Sequence, residues 1–355
     1  MILKKVFVLA LIFITLSTAV FAKPKKTEKN NSKSDTKIKI VTTIFPEYDW
    51  TREILGLEQG SLSSKNMEIT LLINNGTDLH SYQPSIQDFT KLSTADIFIY
   101  VGGESDVWVK DALKNSRNKN MTVLNLMEIL NGKLKEEELK EGMHCDHETD
   151  DDDTNEQNGI HELKEEHKHH HNDNESETEY DEHIWLSLRN AKIICQEICN
   201  ALCQKDSENA ATYRTNLDNY TKKLDFLDQE FSDTIKTGSK NTLIFGDRFP
   251  FRYFTEDYGL DYYAAFAGCS AETEASFETI IFLAGKLDEL GLLSILKIEK
   301  GDGKIAKTIV QNSRNKNAEI LTLDSMQSVT QKQLPETSYL TIMEKNLEAI
   351  KIAVK

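Results

Sequence analysis

The chain has 355 residues, a formal net charge of −16 at pH 7, 39% hydrophobic residues and five cysteines. That length exceeds what one core usually organises, so two lobes are expected. Five cysteines, few and odd in number, exclude a disulfide-framed fold, and the net acidity excludes nucleic acid as a partner.

Residues 1–22 carry Lys4 and Lys5, the apolar run Val6–Leu16, then Ser17, Thr18, Ala19 and Ala22. This is the layout of a secretory signal with cleavage after Ala19 or Ala22, so an extracytoplasmic location, periplasm or cell surface, is expected. The alternative is an uncleaved anchor, because the run extended through Phe21 approaches the length of a membrane span. No cysteine follows the run before Cys145, so a lipoprotein is not expected. Residues 23–37 are polar and lysine-rich and read as a tether.

Short β-branched runs follow at Ile38–Ile44, Met67–Ile73, Ile97–Val101 and Val123–Leu126, with helical patterns between them at Glu47–Leu55, Ser85–Leu92 and Asp106–Asn115. Strands alternating with helices predict a parallel sheet with crossover connections, so residues 38–187 read as an N-terminal α/β lobe. Within it, residues 143–182 form a tract of different composition. It holds His144, His147, His161, His167, His169, His170 and His171, and ends just before His183; His80 is the one histidine elsewhere. From Asp146 to Glu182 sixteen acids face only Lys164 and Lys168, a net of −14 out of the chain's −16. Imidazole and carboxylate donors at this density predict a disordered, low-affinity metal-collecting loop.

Residues 188–237 contain neither Pro nor Gly and carry apolar residues at helical spacing, from Ile194 to Phe231. They predict one long linking helix stopped at Gly238, with Asp206 as a point where it could recap and divide. Cys195, Cys199 and Cys203 fall at i, i+4 and i+8 beside Ile194, Ile198 and Leu202, which reads as a buried apolar face; a three-thiol metal site is the alternative. From 238 to 355 the alternation resumes, with strands at Thr242–Phe245, Leu260–Ala264, Leu293–Ile298 and Glu319–Leu323. Helices are expected at Phe251–Tyr258, Glu274–Leu290, Gly303–Asn315 and Pro335–Val354. The expected fold is thus α/β, two lobes with parallel sheets flanked by helices and joined by one long backbone helix.

The segment N74-N75-G76-T77-D78-L79-H80-S81-Y82-Q83-P84-S85 follows a predicted strand, and D181-E182-H183-I184-W185-L186-S187 precedes the linking helix. A ligand group at a strand's carboxyl end lies where open α/β sheets bind their ligands. With these segments the chain resembles the metal-specific solute-binding proteins of ABC importers, most closely their zinc-binding branch. G76-T77-D78-L79-H80-S81-Y82-Q83-P84 matches the family's G-x-D-x-H-x-Y-x-P with Leu79 in place of the usual Pro, and D181-E182-H183-I184-W185 matches D-x-H-x-W. G102-G103-E104-S105-D106-V107-W108 and L321-T322-L323-D324 match two further motifs, and the family's zinc branch also carries a His- and acid-rich insertion before the second histidine. The resemblance runs from Ile38 to Lys355.

What the resemblance implies is a cleft in which His80, His183 and Asp324 bind metal. Where the family has a histidine or glutamate in the second lobe, this chain reads I244-F245-G246-D247-R248-F249-P250, so Asp247 is expected as the third ligand. Its alternative role is a helix cap, and Glu272 and Glu274 are reserves. Two imidazoles and two carboxylates form a neutral site with Zn2+, and the oxygen donors also admit Mn2+. Capture of Zn2+ and delivery to a membrane permease with its ATPase is expected, by a monomer and without catalysis. An exported zinc hydrolase and a metal-buffering adhesin are the competing readings, the former without an H-E-x-x-H helix.

Overall fold

The computed structural model describes residues 37–143, 179–270 and 274–355. The signal, residues 23–36 of the tether, the seven tract histidines, Cys145 and Glu272 lie outside the described residues. In the first lobe β1 (Ile38–Thr42), β2 (Met67–Leu71), β3 (Ile97–Tyr100) and β4 (Thr122–Asn125) form one parallel sheet in the order β2-β1-β3-β4. A parallel sheet is covered on both faces, which is why its strands are near-continuous apolar runs such as the Ile-Phe-Ile of β3. The covering helices are α1 (Phe45–Leu55), α2 (Ile86–Ser93), α3 (Trp108–Lys114) and the short α4 (Leu126–Ile129). The Glu47 carboxylate starts α1 by accepting the N–H groups of Thr43 (2.7 Å) and Ile44 (3.2 Å).

The helical stretch expected over 188–237 divides at 206–209 into α5 (Leu188–Lys205) and α6 (Ala210–Thr237). Asp206 organises the break, its Oδ2 accepting from Asn209 Nδ2 and from the Tyr213 hydroxyl, both at 2.8 Å. The ion pairs Arg189–Asp228 and Lys192–Asp225 and the Cys203–Ala210 contact show that α5 and α6 run antiparallel. The long joining element is therefore α6, with α5 folded back along it. Cys195 and Cys199 are buried on the apolar face of α5, and the Sγ atoms of Cys199 and Cys203 are 3.9 Å apart.

The second lobe repeats the first. β5 (Thr242–Phe249), β6 (Asp261–Ala267), β7 (Ser294–Ile298) and β8 (Glu319–Leu323) are parallel in the order β6-β5-β7-β8. α7 (Arg252–Tyr258), α8 (Phe277–Glu289), α9 (Lys304–Asn312) and α10 (Tyr339–Ala353) accompany them. In both sheets the chain reverses direction at the strand it began with, which opens a crevice at the carboxyl ends. One apolar core runs through both lobes and the helical hairpin. Polar bonds stitch the lobes together: Tyr339 N–H donates to Asp49 (2.8 Å), its hydroxyl to the Trp185 carbonyl (2.7 Å), and Trp185 Nε1–H to the Ser325 carbonyl (2.9 Å).

Candidate metal centre

His80 is set by a single turn. Asp78 caps the 3-10 segment Leu79–Ser81 by accepting the His80 N–H (3.0 Å), and buried Leu79 pins the turn to the core. The His80 ring is oriented from behind: its Nδ1 lies 2.8 Å from Ser105 Oγ and 3.4 Å from Glu182 Oε2. Glu182 Oε1 in turn accepts the Ser105 N–H at 2.8 Å. This approach explains Gly103 (φ 78°) in the Gly-Gly turn after β3, because a Cβ there would collide with the Glu182 carboxylate.

His183 is fully buried at the head of the turn that leads into α5. Asp181 Oδ1 accepts both its backbone N–H (2.8 Å) and its ring Nδ1–H (3.0 Å), and Trp185 packs against the ring with centroids 5.3 Å apart. Both imidazoles are thus held at Nδ1 and turn Nε2 toward each other, the two Nε2 atoms standing 3.1 Å apart. Two bare lone pairs at that spacing repel unless a proton or a metal ion lies between them. Burial and the neighbouring His183 push His80 down to about 4. Burial also works to lower His183, but the Asp181 carboxylate outweighs it and holds that ring above its ordinary value. Of the two rings His183 is therefore the first to protonate as pH falls, and a metal ion competes with that proton.

Behind the rings stands a row of buried acids. Burial and the Glu182 charge raise Asp106 to about 7, and burial with Asp106 raises Glu47 well above the carboxylate range. Glu182 Oε2 is buried without a hydrogen-bond partner.

From the second lobe, the turn after β6 brings Cys269 to the same place. One ligand atom from each of His80, His183 and Cys269 lies within 4.8 Å of the other two, the one such group among the described residues. Gly268 permits the approach, since a Cβ there would stand 3.1 Å from His183 Cε1. The Cys269 N–H donates to Glu137 Oε1 (3.3 Å), and burial with the Glu137 carboxylate pushes the free thiol well above its ordinary value.

Asp247 and Asp324 contribute no atom to this cluster. Asp247 Oδ1 accepts the Arg248 N–H (2.9 Å) and Oδ2 the Ile298 N–H (3.2 Å), so its carboxylate ties β5 to β7. Asp324 Oδ1 accepts the Met326 N–H (2.8 Å), and burial with the Glu299 charge raises it to about 7. Glu274 lies toward Lys304, in the α9 region. Across the crevice mouth Arg248 donates to Asp78 Oδ2 at 2.8 Å, joining the lobes one turn from His80. A cavity of about 460 Å³ opens beside this pair, lined in part by Ser81, Asp247 and Lys300.

Two parallel α/β lobes of like topology, with imidazoles from one and a thiol from the other converging between them, define a two-lobed binding-protein architecture with a candidate metal centre in its cleft. The chain belongs to the family described as ZnuA, zinc-uptake complex component A, periplasmic, which matches residues 40–353. The zinc-binding protein AdcA of Streptococcus pyogenes is 26% identical over 339 residues, covering 94% of this chain and 59% of that protein, so the chain spans about three-fifths of this relative's length. The high-affinity zinc uptake system protein ZnuA of Bacillus subtilis is 28% identical over 346 residues, 97% of this chain and 95% of that one. The crystal structure of the Zn(II)-bound ZnuA-like domain of Streptococcus pneumoniae AdcA shares the fold, with a TM-score of 0.64, 23% identity, and coverage of 90% of this chain and 99% of that chain. Another relative, from Streptococcus pneumoniae, is named a zinc-binding lipoprotein. Among the described residues no helix is long and apolar enough to cross a membrane.

Proposed function

We propose that this protein is the extracytoplasmic capture component of a zinc importer: it takes Zn2+ into the interlobe cleft and releases it to an ABC permease driven by its ATPase. The observation that carries this reading is the pair of Nε2 atoms 3.1 Å apart, each ring held from behind at Nδ1. His80 and His183 hold the ion from the first lobe; the ion is cargo, and no residue acts on a substrate bond. Membership of a zinc-uptake family supports the delivery step. Titration of the full chain with zinc tests the reading. A single tight site in the wild type, lost in the His80→Ala, His183→Ala double variant, is the expected result, and its survival in that variant refutes it.

The His- and acid-rich tract serves this site as a collector. Its two ends are anchored beside the cleft: the Glu137 N–H donates to the Glu179 carbonyl (3.0 Å), and the Asp181 N–H to that of Lys135 (2.9 Å). Lys140 pairs with Asp261 and Glu137 receives the Cys269 N–H, so the segment from which the tract departs lines the wall that bears Cys269. Deleting residues 145–179 is expected to slow loading at scarce zinc while leaving the cleft's equilibrium affinity intact; unchanged loading kinetics removes the collecting role.

A further inference from the structure

We propose that the thiolate of Cys269 is the second lobe's ligand to the captured ion, in place of Asp247, and that the resulting nitrogen and sulfur donor set makes the cleft select Zn2+ over Mn2+. The inference rests on the cleft being the zinc site. Its geometric ground is the distance between donors. A tetrahedral zinc ion with Zn–N of about 2.0–2.1 Å and Zn–S of about 2.3 Å sets nitrogens about 3.3 Å apart and a nitrogen about 3.6 Å from sulfur. The two Nε2 atoms already stand at 3.1 Å, and the three donors all lie within 4.8 Å of one another, so shifts of about 1 Å complete the arrangement.

The surroundings hold Cys269 in that position rather than merely near it. Gly268 lets the β6 turn rest on the His183 ring, and Glu137 fixes the turn through the Cys269 N–H. The second-lobe carboxylates have other duties: both Asp247 oxygens accept backbone N–H groups, and Asp324 Oδ1 is spent on Met326. When zinc binds, the S–H bond breaks, a coordinate Zn–S bond forms, and the proton leaves to solvent past the Glu137 carboxylate. A thiolate is a soft donor suited to zinc and poorly suited to manganese, which favours carboxylate and water oxygen. Binding of the ion from both lobes also couples capture to lobe closure, since neither lobe alone presents the three donors.

The full chain loaded with Co2+ as a spectroscopic probe tests this. A thiolate-to-cobalt charge-transfer band in the near ultraviolet is expected in the wild type and absent in Cys269→Ser, which retains the other cysteines. In the same variant zinc affinity should fall by more than the roughly 10–100-fold that follows loss of an outer-shell partner, with Mn2+ affinity changed by no more than a few-fold. No charge-transfer band in Co2+-loaded wild type overturns the proposal without requiring any variant to fold. So does a band, or a zinc affinity, that persists in Cys269→Ser. If the His80→Ala, His183→Ala variant loses the tight site while Cys269→Ser keeps it, the cleft reading stands and the thiolate falls. If the histidine variant keeps the tight site, the cleft reading itself has failed.

Discussion

Replacing Asp181 with alanine probes how the cleft prepares its imidazoles without touching a ligand. Asp181 is 2% exposed, and its Oδ1 accepts both the His183 N–H (2.8 Å) and the His183 Nδ1–H (3.0 Å). That carboxylate keeps the ring proton on Nδ1 and leaves the Nε2 lone pair for metal. In Asp181→Ala the neutral ring is free to carry its proton on Nε2, where it donates to His80 Nε2 and blocks the site. Loss of such a partner typically costs 10–100-fold in metal affinity, about 1.4–2.8 kcal/mol. Stability falls separately, because two buried donors lose their acceptor at roughly 1–3 kcal/mol each. Asp181→Asn keeps a carbonyl oxygen as acceptor, so its zinc affinity should lie between the two. Competition titration against a zinc chelator, with thermal unfolding of the metal-free protein alongside, separates the effects. An Asp181→Ala protein that unfolds earlier yet binds zinc within roughly twofold of wild type refutes the reasoning.

Zinc affinity should depend on pH through His183 first. With His80 pushed down to about 4 and His183 held above its ordinary value, His183 is the ring whose proton competes with the metal first as pH falls. Affinity should therefore already be falling as pH drops toward about 6.5, by about tenfold per unit on account of this ring, and steepen near about 4 when His80 also protonates; the thiol of Cys269 adds its own proton throughout. A titration series that is flat from about pH 8 to 6 contradicts this. Trp185→Phe removes the indole N–H that serves the Ser325 carbonyl across the lobes, and should destabilise by about 1–3 kcal/mol, measured by denaturant unfolding. Arg248→Ala breaks the ion pair with Asp78 at the crevice mouth; both groups are about one-fifth exposed, so the effect is limited to about 1 kcal/mol. Chelator-chase kinetics should show zinc released several-fold faster, and an unchanged release rate argues against the pair as a latch.

The sequence by itself determined the elements and two of the side chains that converge in the cleft. All eight strands appear where β-branched runs predicted them, because a parallel strand buried on both faces leaves an unbroken apolar signature in the chain. His80 and His183 stood out because each sits in a short segment whose neighbours serve it locally: Asp78 two residues before the first, Asp181 two residues before the second. The division of the linking helix was legible in part, since Asp206 is a capping residue, but the return of α5 along α6 depends on pairs such as Arg189–Asp228 that are distant in sequence. Which second-lobe group approaches the imidazoles was decided only by tertiary structure. Asp247 has the right chemistry and follows the right strand, yet the neighbouring strand β7 presents the Ile298 N–H and claims its carboxylate. Cys269 carried no local signal at all. It reaches the imidazoles because the β6 turn crosses the crevice and Gly268, lacking a side chain, lets that turn rest on His183, a close approach that no spacing along the chain encodes.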